Sequence, residues 1–196
     1  MSQEIILGSQ SPRRKEIFNY FSLPFRVEHS EFEEMDIIYR GEPTAYAEEI
    51  ALGKFNALKA QFPSSIIITA DTVVYQDGKV FGKPQSKEDG KQTLSSLSGK
   101  WHTVYTSLAV GQGNSFFTGT EQTRIEFVAM SQEQIRKYQK ELHCWDKAGG
   151  YAIQKAGSLA VRRIEGCYYN AMGLPIHTLR ELLLNMDIDL WDYLKE

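Results

Sequence analysis

One carboxylate of this chain lies where a charged residue is unusual. Asp71 interrupts the run Ser65–Tyr75, which is β-branched almost throughout and therefore typical of a central strand covered on both faces. Burial of a carboxylate in such a strand costs free energy unless a metal, a cation or a set of hydrogen bonds compensates. Asp71 is therefore the strongest single candidate for a functional carboxylate.

A group of cations follows the first predicted strand. The segment Ile5–Lys15 indicates a strand, a tight turn and a helix, with Ser11 as the N-cap and a proline in the first helical position. Arg13, Arg14 and Lys15 fall in the first turn, where the helix dipole disfavours each cation by roughly 0.3–1 kcal/mol. If these residues bind a polyanion, the interaction offsets that cost. Alternatively, the arginines point into water and bind nothing. This segment alone does not decide between the two interpretations.

Two lysines and an acidic segment add to this set. Lys54 falls within the apolar stripe of a helix predicted over Pro43–Phe62, so its stem crosses apolar surface, and its ammonium reaches either solvent or a cleft. Lys83 follows a short predicted strand in a Gly-Lys-Pro sequence that is not a P-loop. Glu34 belongs to the acidic segment Ser30–Asp36, which is either a solvated loop or a place for metal ligands at a strand end.

Together these residue types indicate polyphosphate chemistry. Cations neutralise phosphates, while carboxylates hold Mg²⁺ and orient or deprotonate a water molecule. A hydrolase of phosphate esters or anhydrides is therefore the function that the residues favour.

The elements that must position these residues alternate between strands and helices. Such alternation, with long hairpins and a helix-covered central strand, indicates an α/β domain with a mixed sheet. With 196 residues and 42% hydrophobic content, we expect one domain over residues 1–196. Helices are predicted over 12–21, 43–62, 86–97, 131–142 and 175–186, and strands over 5–7, 25–29, 65–75, 80–81, 101–110, 115–130 and 159–164.

Composition excludes several other classes of protein. The net charge of −3 provides no general attraction for nucleic acid. The two cysteines form no CxxC motif, and the four histidines show no ligand spacing, so neither a disulfide scaffold nor a zinc site is indicated. Because no signal peptide and no apolar run near membrane-spanning length is present, we expect a soluble, cytoplasmic protein without a membrane partner.

Six motifs occur along the chain in this order: Leu7–Arg14, Ala70–Val74, Gly82–Pro84, Leu97–Gly99 followed by His102, Asp146–Tyr151 with Ile153–Gln154, and Gly173–Pro175. Together they resemble the motifs of the Maf (septum formation) family of nucleoside triphosphate pyrophosphatases. The resemblance spans nearly the whole chain and implies an elongated α/β fold shared with the inosine triphosphate pyrophosphatases, with two lobes around a cleft. It also implies hydrolysis of a nucleoside triphosphate to the monophosphate and pyrophosphate, with Mg²⁺ or alternatively Mn²⁺, often in a homodimer.

The resemblance also implies site residues. Asp71 takes the position of the catalytic base, with Lys83 and Glu34 as further catalytic residues and with Glu34 and Asp71 as metal ligands. Because a metal-bound carboxylate has a lowered pKa, Asp71 could position the water rather than deprotonate it. The positions that match substrate-binding residues are Ser9, Arg13, Arg14, Lys54, Thr72 and Gln154.

The choice of nucleobase follows from three of these positions. Arg13, Thr72 and Gln154 match the positions associated with base selectivity in the dTTP/UTP branch. The branch acting on methylated GTP usually has an aromatic residue in place of Arg13, so pyrimidine triphosphates are favoured. A pyrophosphatase for modified purine triphosphates is the first alternative. The second is a nucleotide- or nucleic-acid-binding regulator of cell division, which the acidic composition disfavours.

Overall fold

Seven strands form one mixed sheet in the computed structural model, which describes residues 3–195. The strands are β1 Ile5–Gly8, β2 Arg26–Glu28, β3 Ile66–Gln76, β4 Lys79–Phe81, β5 Trp101–Gln112, β6 Ser115–Phe127 and β7 Val161–Gly166. The α-helices are α1 Pro12–Phe18, α2 Pro43–Gln61, α3 Lys87–Leu97, α4 Gln132–Leu142, α5 Tyr168–Ala171 and α6 Ile176–Leu184. In this part of the chain, no helix combines the length and apolarity needed to cross a membrane.

The sheet confirms the predicted mixed α/β class. Its strands lie in the order β2-β1-β3-β5-β6-β7, and β4 pairs with β3 beside that path. β1 is parallel to β2 and β3, whereas the pairings from β3 through β7 are antiparallel. The carboxyl end of β1 therefore lies beside the middle of β3, where Gly8 pairs with Thr69, two residues before Asp71.

The side chains of β3 point alternately toward two layers of helices, one on each face of the sheet. Ile67 packs with Phe55 and Leu58 of α2, so odd-numbered residues face that helix. The even-numbered residues, such as Ile68 and Ala70, join the larger core formed with α1, α3, α4 and α6. Consecutive residues of this strand therefore present their side chains to opposite sides of the sheet.

Helix α2 lies unusually close to the sheet beside the carboxyl end of β1. A Cβ atom at Gly8 would lie 2.3 Å from Leu58 Cδ1 and 2.7 Å from Thr69 Cγ2, so the absence of a side chain permits this approach. The hydroxyl of Thr69 donates a hydrogen bond to the carbonyl of Ala51 at 2.7 Å, which fixes the helix to β3. Because α2 packs so closely against the sheet, side chains from the middle of this helix can reach β3.

Several boundaries differ from the sequence-based predictions. α1 ends at Phe18 rather than near Phe21, because Phe21 instead pairs with Leu194 in an isolated antiparallel bridge. Ser11 occupies the N-cap position, but its side chain makes no capping bond. The predicted loop 165–173 contains the end of β7 and the short helix α5. By contrast, the predicted capping box before α4 is confirmed, with both of its reciprocal hydrogen bonds present.

The chain after α6 packs onto the domain up to Lys195. Ile188 and Leu190 are buried, and Arg180 donates two hydrogen bonds of 2.7 Å to the carboxylate of Asp189. This planar, two-point contact holds the C-terminal segment against α6.

Candidate active site

Three of the predicted site residues meet in one cluster of ionic contacts. Lys54 of α2 places its Nζ atom 2.8 Å from Asp71 Oδ1 and 2.8 Å from Glu34 Oε1. The side chains of Lys54 and Asp71 are nearly buried, whereas that of Glu34 is 42% exposed. The ammonium of Lys54 therefore enters the cleft rather than solvent, and it compensates the carboxylate that interrupts the central strand.

The pKa values of the two carboxylates shift in opposite directions. Burial raises the pKa of Asp71, although the charges of Lys54 and Arg14 act the other way. Burial also acts to raise the pKa of Glu34, but Lys54, followed by Lys83 and Arg14, outweighs it and lowers this pKa. Of the pair, Asp71 is therefore the stronger base and Glu34 the more firmly ionised ligand.

Arg14 lines the cleft, as expected of a substrate-binding residue, but most of its hydrogen-bond donors already bind protein atoms. Its guanidinium donates to Ser9 Oγ at 3.2 Å and Thr72 Oγ1 at 2.9 Å, and to the carbonyls of Ala70 at 3.0 Å and Gly173 at 2.7 Å. Burial lowers the pKa of Arg14 to about 10, which leaves the group cationic at neutral pH. Four of its five N–H donors thus bind protein atoms, and Arg14, which lines the cleft, joins three separate segments.

Ser9 retains one donor on the cleft side of this network. Its hydroxyl oxygen accepts hydrogen bonds from the backbone N–H of Ser11 and from Arg14, both at 3.2 Å. Two accepted bonds leave the hydroxyl proton available, because a serine hydroxyl has one donor and two acceptor lone pairs. Ser9 lines the cleft and can donate that proton to a ligand oxygen.

Arg13 and Lys83 supply uncommitted positive charge. Both line the cleft, and within residues 3–195 neither side chain has a hydrogen bond or salt bridge. Burial lowers the pKa of the Arg13 guanidinium, an effect opposed by the nearby Asp146 carboxylate. These two cations, rather than Arg14, are the ones that the structure leaves open to an anion.

Thr72 lies on the opposite face of β3 from Asp71. Its Oγ1 atom lies 2.9 Å from that of Thr106, whose own hydroxyl donates to the carbonyl of Asn170 at 3.0 Å. Because Thr106 has only one hydroxyl proton, Thr72 must be the donor in the bond between them. The Thr72 hydroxyl, which also accepts from Arg14, therefore has no proton left for a nucleobase.

Gln154 is the one predicted site residue that does not line this cleft. Its side chain is partly buried, and its Oε1 atom is buried without a hydrogen-bond partner in the described part of the chain. A buried amide oxygen without a partner is costly, so this atom is suited to accept a hydrogen bond from a ligand.

The cleft itself has a volume of about 460 Å³. One wall comes from the segment 29–46 and from α2, and the other from the turn after β1, residues 146–148 and residues 172–173. A larger cavity of about 920 Å³ lies at the opposite end of β1, but its single cationic residue, Arg26, pairs with Glu4 at 3.3 Å, and its other charged residue is the carboxylate Asp187. The smaller cleft is therefore the one with convergent, uncommitted polar groups.

Two glycines bring the second wall close to the Gly-Lys-Pro turn. Gly149 and Gly150 both have positive φ values, 71° and 66°, and Gly149 donates a backbone hydrogen bond to the carbonyl of Gly82 at 2.9 Å. A Cβ atom on Gly150 would lie 2.9 Å from Pro84 Cγ. The glycine pair thus fixes the loop that carries Lys83.

A divalent metal fits the carboxylates of this site. Among residues 3–195 no group of three or more His, Cys, Asp or Glu side chains could hold a metal ion. However, Glu34 and Asp71 both approach the same point, the Nζ atom of Lys54. Mg²⁺ is commonly bound by one or two carboxylates together with substrate phosphates and water, so this pair suffices once a triphosphate supplies the other oxygens.

Sequence reasoning did not identify several residues that build the site. Tyr39 and Tyr46 line the cleft with their rings in an edge-to-face contact, 5.6 Å between centroids, and Asp146 lies on the opposite wall. Asn170 is fully buried behind Thr106 and donates to Val104 O at 3.1 Å. Asp146 was part of a recognised motif, but no sequence pattern marks the tyrosines or Asn170, because their positions depend on tertiary packing.

Comparison with known proteins gives a consistent assignment. The family model described as Maf-like protein matches residues 4–186. A protein from Chlamydia caviae named dTTP/UTP pyrophosphatase is 44% identical over 195 residues, which cover 99% of this chain and 100% of the relative. A protein from Chlamydia muridarum named nucleoside triphosphate pyrophosphatase is 42% identical with the same coverage.

Among solved structures, the Ham1 protein of Staphylococcus aureus aligns with a TM-score of 0.45 and 13% identity. This alignment covers 64% of this chain and 72% of the Ham1 chain. The assignment rests instead on the family model, which matches residues 4–186, and on relatives that align over nearly the whole chain. The chain belongs to the Maf-like protein family.

Proposed function

We propose that this protein hydrolyses nucleoside triphosphates to the monophosphate and pyrophosphate, with dTTP and UTP as its preferred substrates. The observation that carries the proposal is the Asp71–Lys54–Glu34 cluster in a cleft that also presents Arg13 and Lys83. Free cations beside a pair of carboxylates are what the hydrolysis of a phosphoanhydride requires. The Chlamydia relatives carry names that describe this reaction.

Each side chain has a role that follows from its contacts. Arg13, Lys83 and the Ser9 hydroxyl bind the phosphate oxygens, because they retain uncommitted donors in the cleft. Lys54 holds Asp71 and Glu34 together and partly neutralises them before a tetraanionic substrate arrives. Arg14 positions Ser9 rather than binding the substrate directly.

In the chemical step, a water molecule attacks the α-phosphorus. The carboxylate of Asp71 accepts the water proton as the new P–O bond forms, and the bond to the bridging oxygen breaks to release pyrophosphate. Without a bound ion, burial raises the pKa of Asp71, which favours the role of proton acceptor, whereas a bound divalent ion would lower that pKa and favour positioning of the water. Glu34 and Asp71 would hold Mg²⁺ or Mn²⁺, and the bound ion supplies charge neutralisation at the phosphates.

Selection of the base involves Arg13 and Gln154. Arg13 lines the same cleft as Asp146, which begins the segment that leads to Gln154. The unpaired Oε1 of Gln154 is complementary to the imide N–H that thymine and uracil share. Thr72 contributes indirectly, through its hydrogen bond with Arg14.

Three broader features complete the proposal. We take residues 1–196 as a single domain, the enzyme as a homodimer, and the cytoplasm as its location. Sedimentation equilibrium of the purified chain tests the second feature directly, and a monomer at micromolar concentration would contradict it.

Pyrophosphate release from purified protein tests the proposed activity. The panel comprises dTTP, UTP, CTP, GTP and a methylated GTP, each assayed with Mg²⁺, with Mn²⁺ and with a chelator. We expect metal-dependent release that is fastest for dTTP and UTP, and a loss of about 10²–10⁴-fold in Asp71→Asn. Pyrimidine triphosphates as the poorest substrates would refute the base assignment, and a folded Asp71→Asn protein with full activity would refute the role of Asp71.

A further inference from the structure

A phenylalanine packs directly onto a glycine in the middle of α2. A Cβ atom on Gly53 would lie 2.3, 2.5 and 2.7 Å from three ring atoms of Phe32. Real Cβ atoms do not approach other atoms so closely, so the ring occupies the space that any side chain at this position would need. Glycine weakens a helix, and its presence inside α2 is explained by this contact.

The contact lies beside both members of one ion pair. Gly53 immediately precedes Lys54 on the helix, and Phe32 lies two residues before Glu34 on the facing segment. The ammonium of Lys54 and the Oε1 atom of Glu34 are 2.8 Å apart. A shift of the backbone segment that carries Phe32 away from the helix would also move Glu34 away from Lys54.

Within residues 3–195, the contact with Lys54 is the one hydrogen bond or salt bridge of the Glu34 side chain. This residue begins a three-residue 3₁₀-helix, Glu34–Asp36, whose flanking residues make no side-chain capping bond. Upstream, the hydroxyl of Ser30 accepts a hydrogen bond of 3.2 Å from the backbone N–H of Phe32, which orients the phenylalanine rather than the glutamate. Exposed side chains on such short helices lose considerable conformational entropy when they are held in one place.

We infer that the contact of Phe32 with Gly53 positions Glu34 for catalysis. The inference rests on the proposed function, because it assigns these two as positioning residues for the carboxylate pair of that site. Phe32 also lines the cleft, but the role assigned to it here is to set, together with Gly53, the distance between Glu34 and the other two members of the cluster. The expected consequence is that the bulk of the side chain at position 53 controls the metal requirement of the reaction.

The decisive variant is Gly53→Ala, with Asn56→Ala as its matched control. Both substitutions raise helix propensity within α2, but Asn56 is exposed and already carries a side chain, so its replacement by alanine adds no bulk to the helix. We expect Gly53→Ala to raise the Mg²⁺ concentration for half-maximal activity, or to lower kcat, by about 10–100-fold. Changes of this size are typical when a residue that orients a metal ligand is lost. Asn56→Ala should leave both quantities unchanged, and the two variants should melt within a few degrees of each other.

Two further measurements separate positioning from general damage. Phe32→Ala, which adds no bulk, should reproduce the loss. In a Glu34→Gln background, Gly53→Ala should cause little additional loss, because the residue through which it acts is already changed. Full additivity of the two substitutions would overturn the inference.

A crystal structure of Gly53→Ala gives a readout that does not depend on activity. We expect Glu34 Oε1 to lie beyond hydrogen-bonding distance of Lys54 Nζ. An unchanged pair at 2.8 Å, or an unchanged Mg²⁺ requirement, would overturn the inference. If the wild-type protein released no pyrophosphate from any nucleotide, the proposed function would fail, while the structure of the variant would still test the positioning.

Discussion

Replacement of Lys54 by methionine should destabilise the protein in a pH-dependent manner. Methionine preserves most of the apolar stem and removes the ammonium that lies 2.8 Å from both Asp71 and Glu34. Asp71 is only 7% exposed, so its charge would remain buried without a cationic partner. The variant therefore isolates the contribution of one charge to the folded state.

The magnitude follows from the burial of the two carboxylates. Removal of one partner from a buried ion pair costs about 3–5 kcal/mol of unfolding free energy. The contact with Glu34 contributes less than about 1 kcal/mol, because that side chain is 42% exposed and screened by solvent. We therefore expect a loss of about 3 kcal/mol at about pH 8, or a decrease in melting temperature of about 6–12 °C for a chain of this length.

The sign of the pH dependence follows from Asp71. Burial already raises its pKa in the folded state, and loss of Lys54 removes the largest opposing influence. A carboxyl group whose pKa is higher in the folded than in the unfolded state binds protons more tightly when folded. The free energy of unfolding therefore decreases as the pH rises from the unfolded-state pKa through the folded-state pKa. The deficit of the variant relative to wild type should therefore be smaller at about pH 5 than at about pH 8.

Urea denaturation at both pH values measures this deficit. Lys59→Met is the control, since Lys59 lies on the same helix with its ammonium 5.9 Å from the ring centroid of Phe55 rather than beside a carboxylate. The double variant Lys54→Met/Asp71→Asn should recover part of the loss, because the uncompensated charge is gone. An equal deficit at the two pH values, with no recovery in the double variant, would mean that lost packing rather than charge burial causes the destabilisation.

Two further substitutions probe the supports of the cleft. Arg14→Lys replaces a planar fork that makes four hydrogen bonds, so we expect a decrease of about 2–4 kcal/mol in unfolding free energy by urea titration, and an unchanged midpoint would contradict the buried network. Gly150→Ala should lower the melting temperature more than Gly78→Ala. Both positions have positive φ, which costs an alanine about 1–2 kcal/mol, but only at Gly150 would the new Cβ meet a neighbour, Pro84, at 2.9 Å. Equal decreases in the two glycine variants would exclude a steric contribution.

Local sequence patterns predicted those parts of the fold that depend on neighbouring residues. The β-branched run of β3, the apolar stripe of α2 and the capping box before α4 each carry their signal within a short window, and the structure confirms all three. The mixed α/β class followed from the order of these elements. The short 3₁₀-helices between residues 144 and 160 were not predicted, because their conformation depends on packing against the rest of the domain.

The same distinction applies to the site. That Asp71 needs a metal, a cation or a set of hydrogen bonds could be argued from the strand alone, whereas the position of Lys54 in an apolar stripe left open whether its ammonium enters a cleft or solvent. The direction of Arg14 could not be predicted, since one of its acceptors, the carbonyl of Gly173, lies 159 residues away in sequence. Likewise, the commitment of the Thr72 hydroxyl depends on Thr106 and Asn170, which belong to distant elements.

The alternation along β3 has a consequence for how this chain can change in length. Asp71 and Thr72 serve separate layers, the first joined to Lys54 and the second to Arg14. A deletion or insertion of one residue before this point would turn the carboxylate toward the apolar core and the hydroxyl toward the lysine, so both layers would fail together. The turn at Asp77–Gly78 lies only a few residues further on, but it is exposed and contributes to neither layer. The fold should therefore tolerate insertions at that turn but not within the strand, because the number of residues in β3 before Asp71 determines which layer each site residue faces.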